Sequence, residues 1–377
     1  MNRSRRRFLQ STGLGVLALG LPPAFLVRAA KAQEKTKGKV LVVVFQRGAM
    51  DGLNAVIPFK DPAYYALRPT IAIAEPGSAE DRAIDLDGFY GLHPALAPLR
   101  SIYDEGHLAI VHATGSPDNS RSHFDAQDFT EIGTPGFKIT PDGWLNRTLS
   151  EMKKGPSPFR GVALTAQLPR ILAGSAPALT LSSIDEFRLR DQALAVTLQR
   201  LYTATSDSLF RVGGENLFAA MDELRQVESK IPLSAERYPT GRFGASLGHI
   251  ARLIKAGIGL EIAFTEIPGW DTHVSQGGAK GQMANRLKQL AEGLATFYRD
   301  LGDRVEDVVL ITLSEFGRTA RENGNRGTDH GHGNVMFVLG GPVRGGKVYG
   351  RWPGLTPELL YEGRDLDLTT DFRTVCG

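Results

Sequence analysis

The stretch ITLSEFGRTARENGNRGTDHGHGNVMFVLGG, residues 311–341, sets a polar loop holding Glu315, Asp329, His330 and His332 between two apolar runs. The runs Val308–Leu313 and Val335–Leu339 are short, rich in Val, Ile and Leu, and bounded by polar or glycine positions. Strands buried on both faces of a parallel or mixed sheet have this composition. Ligands of such sheets bind just beyond the strand ends, so this loop is where chemistry is to be sought. A carboxylate and two imidazoles within four residues supply hard and borderline donors for one divalent cation. The same D-H-G-H segment also fits a turn capped by Asp329 with two solvated histidines. The four residues alone do not separate these readings.

The beginning of the chain bears on where such a site works. Residues 4–10, SRRRFLQ, fit the twin-arginine export pattern, and the apolar stretch Gly13–Val27 and the small-residue site Ala30-Lys31-Ala32 follow. The sequence therefore predicts a signal peptide over residues 1–32, delivery by the twin-arginine translocase, and a periplasmic or secreted protein. The apolar stretch is short for a membrane span and is broken by Pro22 and Pro23. Removing residues 1–32 takes six basic residues from the total of 44 and leaves 38, against 41 Asp plus Glu. That near-neutral balance, without a basic stripe or interleaved aromatics, argues against nucleic-acid binding. The single cysteine, Cys376, has no partner for an internal disulfide, so stability has to come from a large core.

Along the mature chain, Lys39–Phe45 (KVLVVVF) is the first strand and runs into the loop Gln46–Pro58, where Asp51 stands between Gly48 and Gly52. A helix over about 94–105 and a strand over 108–113 give the β-α-β order of an α/β sheet. A turn-rich segment over 115–121 then opens a helix over about 122–132. Residues 134–240 are less periodic, with strands expected at 161–164 and 178–181 and helices at about 191–204 and 216–229. They are read as an elaboration covering one side of the sheet. A helix over 242–256, a strand over 260–265 and a helix over 281–301 complete the core.

Four loops hold most of the acids and imidazoles: Asp51; Ser122-His123-Phe124-Asp125; Trp270-Asp271-Thr272-His273; and the Glu315–His332 group. Four of the eight histidines fall in them, and loops at the strand ends are where an α/β active site is assembled. Ser122 is placed as a helix cap, where backbone N–H groups also favour an anion and a nucleophile. Arg47, Arg121 and Arg318 are candidates for bidentate oxyanion binding. His93, His107, His112 and His249 lack comparable neighbours, and no nucleotide-binding glycine pattern is present.

At these residues the chain resembles the DUF1501 family of exported bacterial proteins, within the alkaline phosphatase and sulfatase superfamily. The resemblance is carried by RGAMDGLN (47–54), SHFDAQDF (122–129), GWDTH (269–273), SEFGRT (314–319) and TDHGHG (328–333). It implies a central mixed sheet flanked by helices, with metal and nucleophile on loops at one sheet edge. Carried over by position, Asp51, Asp271, His273, Glu315, and His330 or His332 stand as ligands for a divalent metal, Zn or Mn. Ser122 stands as nucleophile and Arg318 as oxyanion binder. Ser314-Glu315 departs from the superfamily's Asp-His, and no C-x-P-x-R motif is present, which excludes a formylglycine. The segment 366–375 resembles a point from which family members continue into a final helix, so the domain is expected to be truncated there and to expose apolar surface. The implied activity is hydrolysis of a small anionic ester, phosphate or sulfate. The alternative is a binding or assembly protein that keeps the fold without turnover.

Overall fold

The β-branched run Val40–Arg47 forms the strand β1, buried along nearly its whole length, and lies in the middle of the sheet. The computed structural model describes residues 39–152, 155, 157–187, 192–227, 234 and 236–376; the expected signal peptide lies outside them. In chain order the further strands are β2 (Val56–Ile57), β3 (Ile84–Asp85), β4 (Gly91–Leu92), β5 (Leu108–Gly115), β6 (Gly161–Ala163), β7 (Leu179–Thr180), β8 (Ile262–Pro268), β9 (Val308–Leu313), β10 (Asn334–Leu339), β11 (Lys347–Tyr349) and β12 (Thr370–Asp371). Nine of them form one sheet, ordered β11-β5-β10-β9-β1-β8-β6-β7, with β12 also on β5. The strands β2, β4 and β3 form a separate antiparallel sheet.

Direction, more than order, positions the site. β1 runs parallel to β8 and β9, with Leu41 opposite Ile262 and Val309. β10 is antiparallel to both β9 and β5. The C-terminal ends of β1, β5, β8 and β9 and the N-terminal end of β10 therefore share one edge. The loops after Arg47, Gly115, Pro268 and Leu313, and the one before Asn334, open there. This is the mixed sheet flanked by helices that the family resemblance implies.

Alternation along β1 divides the core. Val40, Val42 and Val44 pack under the helices Arg242–Ala256 and Gln282–Leu301, while Leu41, Val43 and Phe45 face the helices Trp144–Glu151 and Phe372–Cys376. On this second face an apolar groove of 760 Å³ runs over Leu41, Val111, Val309, Ile311 and Val338 to Thr374 and Val375. Burial of this extent is the main stabilising term, at roughly 25 cal/mol per Å² of apolar surface.

Several expectations shift in detail. The strands near 161–164 and 178–181 are β6 and β7; they pair in parallel with β8 and with each other and so extend the main sheet. The helix over 94–105 begins as a 3₁₀ turn, Pro94–Leu99, because Pro98 has no N–H to give an α-helical bond. The second helix of the 134–240 segment begins earlier, at Ser208. No described helix is long and apolar enough to cross a membrane.

Two of the histidines outside the chemistry-bearing loops are buried and neutral. His112 Nδ1 accepts from Ala113 N at 2.9 Å, so its proton sits on Nε2, which donates to the Val56 carbonyl at 2.9 Å. His93 Nδ1 likewise accepts from Ala95 N, and its Nε2 faces the Gly278 carbonyl at 3.1 Å. Burial lowers both to about 4, and protonation of either Nδ1 would set N–H against N–H. With the folded value below the unfolded one, the unfolded chain binds more protons between pH 6.5 and 4. Stability is thus complete above pH 6.5 and falls on the order of 3 kcal/mol per histidine down to pH 4. Urea midpoints measured across that window should fall with acid. A flat profile in His112→Gln and wild type alike would sink this account.

Candidate metal centre

The shared sheet edge is built loop by loop. After β1 the chain turns at Gly48, whose φ of 112° suits glycine, and a Cβ there would lie 2.8 Å from Asp271 N. This close approach brings the β1 and β8 loops together. Gly317 does the same for the two ends of the 314–333 loop, since its Cβ would fall 1.8 Å from the Gly333 carbonyl oxygen. Ser122 caps the helix His123–Ile132, its Oγ accepting from Asp125 N at 3.5 Å, and so delivers His123 to the edge.

Three imidazoles converge on one carboxylate oxygen. Asp271 Oδ1 lies 3.4 Å from His123 Nε2, 3.0 Å from His273 Nε2 and 3.2 Å from His330 Nε2. His273 Nε2 and His330 Nε2 are 2.9 Å apart. Among the described residues, His123, Asp271 and His330 form a group of donors spaced to hold one metal ion.

Each ring is fixed from behind by an acceptor. His123 Nδ1 faces Glu315 Oε1 at 2.8 Å, His273 Nδ1 faces Asp329 Oδ1 at 2.9 Å, and His330 Nδ1 faces the Arg121 carbonyl at 2.7 Å. Carboxylates and carbonyls only accept, so each Nδ1 carries the hydrogen and each Nε2 turns to the centre. Metal-binding histidines are anchored in this way.

The electrostatics agree. Burial opposes the charge on Glu315, but hydrogen bonds from His123, Gln127 and Gly48 N outweigh it and hold the carboxyl below its ordinary value. The bond to Glu315 raises His123 against the effect of burial. Burial likewise works against Asp271, yet Arg318, 2.6 Å away, with His273 and His123, brings it down to about 2. His330 is lowered, chiefly by burial. Phe316 underlies the cluster, its ring 5.0 Å from those of both His123 and His330.

These residues fit a divalent cation. With neutral rings, three nitrogen lone pairs face one carboxylate oxygen at 3.4, 3.0 and 3.2 Å. Only a shared proton or a cation reconciles that arrangement. His123 Nε2 is buried and has no hydrogen-bond partner, an open donor position directed at the same point.

Not every expected residue gathers here. Asp271, His273 and His330 do. Glu315 stands behind His123 as its anchor, because all the bonds to its Oε1 come from Gly48, His123 and Gln127. Asp51 is held away by Arg68, which donates Nη1 to Asp51 Oδ2 at 2.6 Å with both side chains buried. His332 is buried and stacked on Tyr361, 4.2 Å between ring centres, and burial lowers it to about 4. Arg318 is a positioning group rather than an oxyanion clamp, since its donors are occupied by the carbonyls of Ala49, Gly48, Trp270 and Thr328 and by Asp271. Arg47 and Arg121 are partly exposed and pair through two of their three nitrogens, Arg47 with Glu131 and Glu266 and Arg121 with Glu362 and Asp365. His123 and Asp329 belong to the centre although the residue-by-residue carry-over omits them; both stand in quoted loops, beside Ser122 and His330, and that proximity was the available signal.

Glu315 gives a direct test. Glu315→Gln keeps the volume but loses the charge that favours Nδ1–H on His123, and Zn²⁺ affinity should fall ten- to hundredfold. Competition with a chelator measures it, and an unchanged affinity would remove Glu315 from the centre.

Among solved structures, the C-terminal periplasmic domain of EcEptC from Escherichia coli, in complex with Zn, shares 10% identity at a TM-score of 0.40, over 82% of this chain and 74% of that one. A protein of the alkaline phosphatase superfamily from Vibrio parahaemolyticus shares 12% at 0.32, over 83% and 62%. The sulfatase PsFucS1 from Pseudoalteromonas sp. shares 13% at 0.33, over 86% and 67%. The search of curated proteins gives no match. The family described as protein of unknown function DUF1501 matches residues 107–374, which include β5, β8, β9, β10 and every member of the cluster, and the chain belongs to that family.

Proposed function

We propose that this protein is an exported hydrolase of a phosphate or sulfate ester, using one divalent metal, Zn or Mn, held by Asp271, His330 and His123 with His273 beside them. The supporting observation is the convergence of three back-anchored Nε2 atoms on Asp271 Oδ1. When bound, such a metal polarises the ester oxygen and lowers the pKa of an attacking water. The protein's own groups do the rest. Glu315, Asp329 and the Arg121 carbonyl keep the rings in the Nδ1–H form. Arg318 holds Asp271 ionised and oriented. Ser122, whose Oγ caps the helix that carries His123, is the hydroxyl we assign as nucleophile in place of water.

The second reading is a binding or assembly protein that retains the fold and the metal. It is favoured by the engagement of Arg47, Arg121 and Arg318 with carboxylates of the protein itself, which already neutralise the charge an oxyanion would need. Metal analysis of the purified protein, followed by assays with nitrophenyl phosphate, phosphodiester and sulfate, separates the two. Near-stoichiometric metal with turnover supports the hydrolase, and loss of that turnover in Ser122→Ala with metal retained identifies the nucleophile. Metal without turnover on any ester leaves the binding protein. A folded protein that takes up no Zn²⁺ or Mn²⁺ overturns both.

A further inference from the structure

Behind the centre lies a buried polar network that its ligands do not explain. Gln276 is fully buried, and of its three side-chain bonds two reach other loops while the third closes on Thr272 of its own loop. Its Nε2 donates to Asp51 Oδ2 at 2.7 Å, while its Oε1 receives the hydroxyls of Thr272 at 2.8 Å and Thr328 at 2.7 Å. The orientation is forced. A carboxylate only accepts, so the amide nitrogen faces Asp51, and the amide oxygen is left for two hydroxyls that must both donate.

The partners stand at informative positions. Thr272 lies between Asp271 and His273, and Thr328 precedes Asp329, the anchor of His273, and His330. A backbone bond from Thr328 N to the Thr272 carbonyl, 3.2 Å, ties the same two loops directly. Asp51 is itself fixed by Arg68, whose other donors reach Asn54 Oδ1 and the carbonyls of Thr319 and Ala320. The Thr319 N–H in turn bonds the Asp329 carbonyl at 2.9 Å. One amide thus connects the end of β1 to the two loops that carry Asp271, His273 and His330, while His123 enters separately from the helix after β5.

We propose that Gln276 is a positioning residue that sets the separation of the two ligand loops and thereby the metal affinity, an inference that rests on the metal-centre reading above. A purely structural glutamine would add stability to metal-free and metal-loaded protein alike. A positioning glutamine sets the difference between them, because misplaced ligands weaken the bound state alone.

The test is Zn²⁺ affinity by chelator competition in the full chain, alongside the thermal midpoints of the metal-free forms. Gln276→Met keeps the length and loses all three bonds, and it should bind Zn²⁺ ten- to hundredfold more weakly than wild type. Thr272→Val and Thr328→Val should each weaken binding, but neither should weaken it further in the Gln276→Met background, since groups acting through one partner are not additive. If Gln276→Met does not fold, the double variant Thr272→Val/Thr328→Val, which leaves the Asp51 bond intact, should show the same loss. Folded Gln276→Met or the double valine variant with affinity within twofold of wild type overturns the role, as do strictly additive losses. Wild-type protein that binds no Zn²⁺ overturns the metal centre itself, whereas wild-type binding with an unaffected variant overturns only this inference.

Discussion

Arg68→Met will destabilise the protein by about 3–5 kcal/mol, the range for removing one partner of a buried ion pair. Neither side chain of the Arg68–Asp51 pair reaches solvent to any useful extent, at 0% and 1%. The remaining carboxylate would be left buried with only the Gln276 amide, as Asp51 Oδ1 already lacks a partner. The loss is more than that of one contact, because the same guanidinium holds the carbonyls of Thr319 and Ala320. Replacing both partners, Asp51→Leu with Arg68→Met, should cost less than the single change, since desolvation of the charge disappears with it. Urea unfolding with an unchanged slope would register the shift in midpoint. A single variant within about 1 kcal/mol of wild type would show that the pair is solvated or dispensable, against the observed burial.

The second large effect is expected at Asp271. Asp271→Asn keeps an oxygen for Arg318 but removes the charge facing three imidazoles, so Zn²⁺ affinity should fall by more than the ten- to hundredfold expected for an orienting group such as Glu315. The fold should survive, because Arg318 retains its four carbonyl acceptors. Asp271→Ala should lose metal and stability together. The carboxyl of Asp271 titrates near 2, well below an ordinary aspartate, so its pairing with Arg318 is complete above about pH 4 and is lost only as pH falls through that lower value. Metal retained at wild-type affinity by Asp271→Asn would end the reading of this carboxylate as a ligand.

Between them these experiments separate what the chain spells out locally from what its fold imposes. Short apolar runs determined β1, β9 and β10, because a strand buried on both faces needs continuous Val, Ile and Leu and little else in the sequence supplies them. The loops with Asp271, His273 and His330 were legible for a similar reason: each is a local arrangement of a few residue types. The role of His123 was not, since it enters from a helix whose contact with the β9 loop exists only once β5 and β9 run in the same direction across β10. Nor could spacing reveal that Asp51 faces Arg68, 17 positions away, rather than the cluster. Glu315 shows the limit most clearly. As a residue type it fits a metal ligand or an anchor equally well, and only the packing of Gly48, Gln127 and His123 around its Oε1 decided that it stands behind the ligand and not among the ligands.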